Sequence, residues 1–263
     1  MTPDIDNKSL AFKTFANDDN CQVKVTVFDG ETVVSENMLS MDDVIKFDEL
    51  KLWSPENPFL YDLKVELIKD GNVVDTVKSY VGMRKYSIGK DEKGYPRFYL
   101  NNKPYFQRGL LDQGYWSDGG MTPATDEAMI YDIATMKRLG FNMLRKHIKV
   151  ELDRWYYHCD RLGMLVWQDM PCGEQKRPYS WSRHQINGGS DTELSEEFKR
   201  NYYKEWGEII DFCRFFQSVV VWVPFNEAWS QFDTEKVVDW TFKRDYSRLI
   251  NPASGGNLRE CGD

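Results

Sequence analysis

Arg138-Leu139-Gly140-Phe141 and Arg161-Leu162-Gly163-Met164 mark the same structural event twice. In each, an amphipathic stretch stops on a glycine and an apolar run starts at once. Glycine supplies the left-handed backbone that closes a helix. An apolar run without alternation is what a strand covered on both faces requires. Upstream of the first copy, Thr125 can cap a helix whose first turn carries Asp126 and Glu127, charges that complement the helix dipole. Met129, Ile130, Ile133, Ala134 and Met136 give that helix its apolar stripe, and Phe141 to Ile148 reads as the strand after it. Leu152, Trp155, Tyr156, Cys159 and Leu162 form the next stripe, followed by the strand Met164 to Gln168.

Working outward, a longer helix runs through Leu194, Phe198, Tyr202, Trp206, Ile209, Cys213 and Phe216. The strand Val219 to Val223 follows, then a helix from about Thr234 to Leu249 and a fifth strand segment at Asn251-Pro252-Ala253-Ser254. The βαβα order predicts a parallel sheet with covered faces. An open doubly wound sheet and a (β/α)₈ barrel both fit that order. No Gly-x-Gly-x-x-Gly turn follows the first strand, which argues against a nucleotide-binding sheet and favours the barrel. About 160 residues follow Phe106, against about 250 for a complete barrel, so the reading is a truncated TIM barrel.

The chain before Gly82 has another texture. Val23, Val25 and Val27 alternate with polar neighbours up to Asp29-Gly30, and Leu63, Val65 and Leu67 do so up to Asp70-Gly71. Period-2 strands joined by Asp-Gly turns predict an antiparallel β-sandwich. Trp53-Ser54-Pro55-Glu56-Asn57-Pro58-Phe59-Leu60-Tyr61 reads as a rigid corner, since two prolines bar helix. Phe98 to Phe106 suggests one more hairpin. The domains are therefore expected at 1–85, an immunoglobulin-like β-sandwich, and 86–263, the N-terminal part of the barrel.

Composition narrows the function classes. At 41% hydrophobic and 29% charged, the 263 residues describe an ordinary globular protein. A net charge of −8 without a basic block argues against nucleic acid and anionic membranes as partners. No signal peptide or membrane-spanning run is visible, and the compartment stays open. Cys21, Cys159, Cys172, Cys213 and Cys261 contain no Cys-x-x-Cys pair, so free thiols are favoured over disulfides or structural zinc. No cofactor or metal is expected. The many aromatics are core by default, though flat rings also stack on sugars.

Barrel active groups collect at the C-terminal strand ends. That rule picks out Asp112, Gln113, Tyr115 and Trp116, then Arg145 and His147, then Trp167-Gln168-Asp169, and last Asn226-Glu227-Ala228-Trp229. Glu227 directly follows a buried strand, where a desolvated mouth would raise its pKa and suit it to hold a proton. A solvated turn carboxylate is an equal alternative at this point. Arg145 orients a carboxylate or simply pairs with Asp169.

Several of these segments resemble family 2 glycoside hydrolases, the β-galactosidase, β-glucuronidase and β-mannosidase group. Trp53-x-Pro55-Glu56-x-Pro58-x-Leu60-Tyr61 is similar to a segment of that family's immunoglobulin-like domain. Phe98-Tyr99-Leu100-Asn101-Asn102-Lys103-Pro104 with Arg108-Gly109 resembles its lead into the first barrel strand. Met136-Lys137-x-Leu139-Gly140-Phe141-Asn142-x-Leu144-Arg145, Cys159-Asp160-Arg161-Leu162-Gly163 and Val220-Val221-Trp222 through Asn226-Glu227 continue it in order. The resemblance implies an exo-acting, retaining β-glycosidase with Glu227 as general acid/base. It also matches Arg145 and His147 to residues lining the sugar pocket, and with the strand-end positions Asn226, Asp169, Trp229 and Asp112 they make the expected carbohydrate-binding set. The family's nucleophilic glutamate belongs on the seventh strand, absent here, so the fragment is expected to be inactive alone. Its exposed sheet edges predict self-association. The family's Arg-x-x-Ser-His spacing is shortened here to Arg145-Lys146-His147, and Asp169 stands where many members carry Glu. A non-catalytic carbohydrate-binding or structural module is the rival class.

Overall fold

The computed structural model describes residues 1–16, 20–40, 42–171, 173, 180–182 and 185–263. The chain divides into two compact units, Met1–Lys85 with Tyr99–Lys103, and Tyr86–Phe98 with Pro104–Asp263.

The first unit holds β1 (Thr2–Asp4), β2 (Ser9–Lys13), β3 (Gln22–Asp29), β4 (Thr32–Leu39), β5 (Asp42–Lys46), β6 (Tyr61–Lys69) and β7 (Asn72–Val81). They form a three-stranded sheet, β1-β2-β5, and a four-stranded antiparallel sheet, β4-β3-β6-β7. Val23, Val25 and Val27 are buried with Leu63, Tyr61, Leu10 and Ile45 in one core, as the period-2 pattern requires. Both expected hairpins exist. Asp70 and Gly71 both take positive φ, 50° and 76°, the mirror-image turn that matches strand twist. The strands at 2–4, 9–13, 42–46 and 86–90 were not read from the sequence. Each has five residues or fewer, too short for an alternating pattern to announce itself.

Next in the chain, β8 (Tyr86–Lys90), β9 (Pro96–Leu100) and β10 (Lys103–Pro104) make a small sheet. The expected hairpin turns on Asn101 and Asn102, at φ 52° and 63°. Then come β11 (Gly109–Asp112), α1 (Asp126–Arg138), β12 (Met143–Lys146), α2 (Asp153–Leu162), β13 (Leu165–Asp169), α3 (Glu196–Cys213), β14 (Val219–Val223), β15 (Phe225–Asn226), α4 (Thr234–Arg244), β16 (Leu249–Ile250) and β17 (Ala253–Ser254). The order β11-β12-β13-β14-β16 is wholly parallel and does not close on itself.

Local chemistry explains the boundaries. Thr125 accepts from Ala128 N–H and caps α1, and Ser195 does the same for α3 through Phe198 N–H. Gly140 (φ 91°) and Gly163 (φ 75°) both take the left-handed conformation after their helices, as the repeated Leu-Gly pair demanded. Trp155, Tyr156, Cys159, Trp206, Ile210 and Trp222 sit in the core under the helices. Asp160 accepts from Ser218 N–H (2.6 Å), and Asn142 accepts from Arg108 N–H (2.7 Å). These two motif residues therefore tie neighbouring elements together within the unit.

Two boundaries differ from expectation. The last helix stops at Arg244, and Leu249 already belongs to β16. The expected strand at 251–254 is split by Pro252, which has no N–H for a ladder. Pro224 interrupts the neighbouring strand in the same way. Across both breaks the register is constant: Val221 pairs Leu249, Trp222 pairs Ile250, Phe225 pairs Ala253 and Asn226 pairs Ser254. The short pair β15–β17 thus continues the sheet past two prolines and carries its tip.

Candidate active site

Four neighbouring strand ends contribute one polar side chain each to a single cluster. Arg145 of β12 donates from Nε to Asp169 Oδ1 (2.9 Å) and from Nη2 to Oδ2 (2.8 Å), a bidentate pair with the end of β13. Nη2 also donates to Asn226 Oδ1 on β15 (2.8 Å), and Nη1 donates to Ser254 Oγ on β17. The Asp169 side chain is wholly buried and that of Arg145 nearly so. Burial pushes the Asp169 carboxyl above its ordinary range, while the Arg145 bonds and the Ile148 N–H pull the other way. Ile148 gives that N–H (3.2 Å) from a left-handed backbone at φ 45°, which is costly for a β-branched residue.

The cluster fixes Asn226. Its Oδ1 is committed to Arg145, and its Nδ2 has no acceptor among the described residues. The Arg145 bond thereby fixes which way the amide points.

Asn226 opens a tight turn in which Trp229 N–H donates back to Asn226 O (3.0 Å). Glu227 (φ 50°) and Ala228 (φ 63°) occupy its two centres, and Ser230 (φ 52°) follows in the same region. Left-handed non-glycine residues cost of order 1 kcal/mol each and gather at functional sites. The Glu227 N–H is held by Ser254 O. Its side chain is exposed; the partly desolvated mouth expected from the apolar strand is not what surrounds it. The turn after Pro224 lifts the residue past the sheet's covered end.

The remaining sequence-derived positions fall around this cluster, not in it. Asp112 turns to the other face of the sheet, where it pairs with Lys146 Nζ (2.9 Å) and accepts from Gly114 N–H (2.9 Å). Lys146 is fully buried, with Glu151 Oε1 also at 2.9 Å and the Trp155 ring centre at 4.2 Å. Alternation along β12 sends Arg145 one way and Lys146 the other. His147 is half-buried, and Gln113 Nε2 lies 3.2 Å from its Nδ1. Trp229 is half-buried in the turn. Sequence reasoning missed Ser254 and the Ile148 N–H. The register of β17 against β15 was the available signal for Ser254, hidden by Pro252. Cys172 and Glu174 lie outside the described residues. Among the described residues no group of acidic, histidine or cysteine side chains is arranged to hold a metal. No helix among the described residues is long and apolar enough to cross a membrane.

The polar cluster sits at the C-terminal strand ends of a parallel sheet, the end at which barrel enzymes gather their active groups. The profile described as "Glycosyl hydrolases family 2" matches residues 3–84, and that described as "Glycosyl hydrolases family 2, TIM barrel domain" matches residues 93–261. The chain belongs to glycosyl hydrolase family 2. A beta-galactosidase of Vibrio vulnificus is 26% identical over 285 residues, which is 100% of this chain and 26% of that protein. A beta-galactosidase of Streptococcus thermophilus is 31% identical over 163 residues, 60% of this chain and 15% of that one. The crystal structure of Parabacteroides merdae beta-glucuronidase aligns with a TM-score of 0.67 at 20% identity, covering 88% of this chain and 29% of that one, a likeness of fold. The chain thus spans about a quarter of the Vibrio enzyme's length.

Proposed function

We propose that this chain carries the acid half of the active site of an exo-acting, retaining β-glycosidase. The observation that supports it is the placing of Glu227 directly after Asn226, whose amide is oriented by Arg145. In this reading Glu227 protonates the glycosidic oxygen as the bond breaks, then takes a proton from water in the second step. Asn226 Nδ2 donates to a ring hydroxyl. Arg145 and Asp169 hold that amide in place, and His147 and Trp229 line the mouth beside it. The immunoglobulin-like reading of residues 1–85 and the barrel reading of residues 86–263 belong to the same proposal.

Retention needs a second carboxylate about 5–5.5 Å from the first. Asp169 is committed to Arg145 and Asp112 to Lys146, and a carboxylate neutralised in this way is a poor nucleophile. The reading therefore takes the nucleophile from a later barrel strand of a longer enzyme, and takes these 263 residues to be inactive alone.

The deciding experiment is Glu227→Gln in that whole enzyme. Loss of the acid should slow glycosides with poor leaving groups by about 10²- to 10⁴-fold, and activated phenyl glycosides far less in the glycosylation step. Equal rates with wild type on both would remove Glu227 from the mechanism and favour a carbohydrate-binding module. Assay of the 263-residue chain against nitrophenyl β-glycosides should show no turnover. Turnover near the whole enzyme's rate would place a nucleophile within these residues.

A further inference from the structure

Ser254 and Gly255 meet the candidate acid in a way that no motif announced. Ser254 O accepts the N–H of Glu227, and Ser254 Oγ accepts from Arg145 Nη1. One residue thereby links the acid's backbone to the guanidinium that orients Asn226. Gly255 follows at φ 85°, and a Cβ placed on it would lie 3.3 Å from Glu227 Cγ and 3.9 Å from Oε1. The Glu227 side chain therefore lies over a bare Cα. Any side chain at 255 would press on it, in a conformation that L residues avoid. The ladder ends at Asn226 and Ser254, and Glu227 and Gly255 both leave it with left-handed backbone.

We propose that Ser254 and Gly255 form a seat for Glu227 and act as positioning residues for its proton transfer. Ser254 fixes where the acid's backbone starts, and Gly255 fixes where its side chain can lie. This inference rests on the acid/base reading above and deepens it.

The test is a split between leaving groups, measured in the whole enzyme with Gly255→Ala, Ser254→Ala and Ser254→Thr. Proton donation matters to an alkyl β-glycoside and little to a dinitrophenyl one. A displaced acid should lower kcat/KM on the alkyl substrate by roughly 10- to 100-fold, the scale of an ångström-sized misplacement, and on the dinitrophenyl substrate by no more than about threefold. Ser254→Ala removes only the Oγ acceptor of Arg145 and leaves the backbone carbonyl, so Ser254→Thr, which keeps an Oγ, should restore most of the loss seen in Ser254→Ala. Partial unfolding lowers both substrates alike, so the ratio reads position and not folded amount. In a Glu227→Gln background, Gly255→Ala should add no further leaving-group effect. If Glu227→Gln shows the split while Gly255→Ala and Ser254→Ala lower both substrates equally or neither, the seat is refuted and the acid reading stands. If Glu227→Gln shows no split, the acid reading itself fails.

Discussion

Arg145 grips both oxygens of Asp169, at 2.9 and 2.8 Å, across two adjacent parallel strands, and the carboxylate it grips is wholly buried. Removing one partner leaves an unpaired charge in a dry place, whereas removing both removes the problem with them. Asp169→Ala should therefore destabilise the chain by about 3–5 kcal/mol in urea denaturation. Arg145→Met combined with Asp169→Leu should cost clearly less than Asp169→Ala alone. An Asp169→Ala loss within about 1 kcal/mol, typical of an exposed pair, would show that the pair carries no such burden.

Glu227 holds a left-handed backbone although it is exposed and is not glycine. A non-glycine residue there costs about 1–2 kcal/mol, and glycine's extra chain entropy takes back about 0.5–1. Glu227→Gly should thus raise stability by up to about 1.5 kcal/mol, while any activity that depends on the carboxylate disappears. The control is Glu127→Gly in the first turn of α1, which should lower stability because it removes a helix former and a favourable dipole charge. Thermal melts of the two variants decide it. A fall in stability for both would mean that the turn is not strained at 227.

Both architectures could be seen in the sequence because each depends on repetition: alternation in Val23 to Val27, and the doubled Leu-Gly pair at 139–140 and 162–163. Arg145, Asp169 and Asn226 could be located because strand ends are set by the same apolar runs. The cluster they form could not, since it depends on which residue of the fifth strand faces Asn226, and Pro252 hides that register. The surroundings of Glu227 were misread for a related reason. A buried strand predicts a buried end only if the chain leaves straight, and Pro224 with two left-handed residues turns it outward. Asp112 was placed with the mouth because nothing local shows on which face of a four-residue strand a side chain falls. The buried Lys146 decides it.

His158 makes stability sensitive to mild acid. Burial, then the positive charge of Arg161, holds its imidazole below the usual histidine range. Arg161 Nε donates to Nδ1 (3.0 Å), a bond that an added proton on Nδ1 would break. A depressed base gives stability that is complete above the ordinary imidazole pKa of about 6.5 and is lost as pH falls through the lowered folded value. The urea midpoint should therefore drop as pH is taken from 7.5 towards 5. His158→Gln should be less stable at pH 7.5 and flatter across that interval. A wild-type midpoint that stays level would count against a neutral buried imidazole.

Lys146 is the other charge whose removal should be felt. Its ammonium is fully buried 2.9 Å from both Asp112 and Glu151, and 4.2 Å from the centre of the Trp155 ring. Lys149 also reaches Glu151, at 2.7 Å, so that carboxylate keeps a partner when Lys146 goes. Asp112 does not. Lys146→Met preserves the stem's packing and isolates the charge effect, which should be about 1–3 kcal/mol at neutral pH, below the cost of stranding a fully buried ion because Asp112 is partly exposed. The loss should also depend on pH in a stated sense. Asp132 lies on the exposed side of α1, where partial desolvation, then the Asp112 charge, raises its carboxyl and Lys146 pulls it down, a modest effect because solvent screens it. A raised carboxyl gives stability that is present below its unfolded value of about 3.9 and is lost as pH rises through the folded value. Without Lys146 that folded value rises further, so the variant's deficit should be small near pH 4 and widen towards pH 6. Urea midpoints of wild type and Lys146→Met at half-unit steps over that interval measure it. A deficit independent of pH would mean that the lysine matters for its packing on Trp155 and not for its charge.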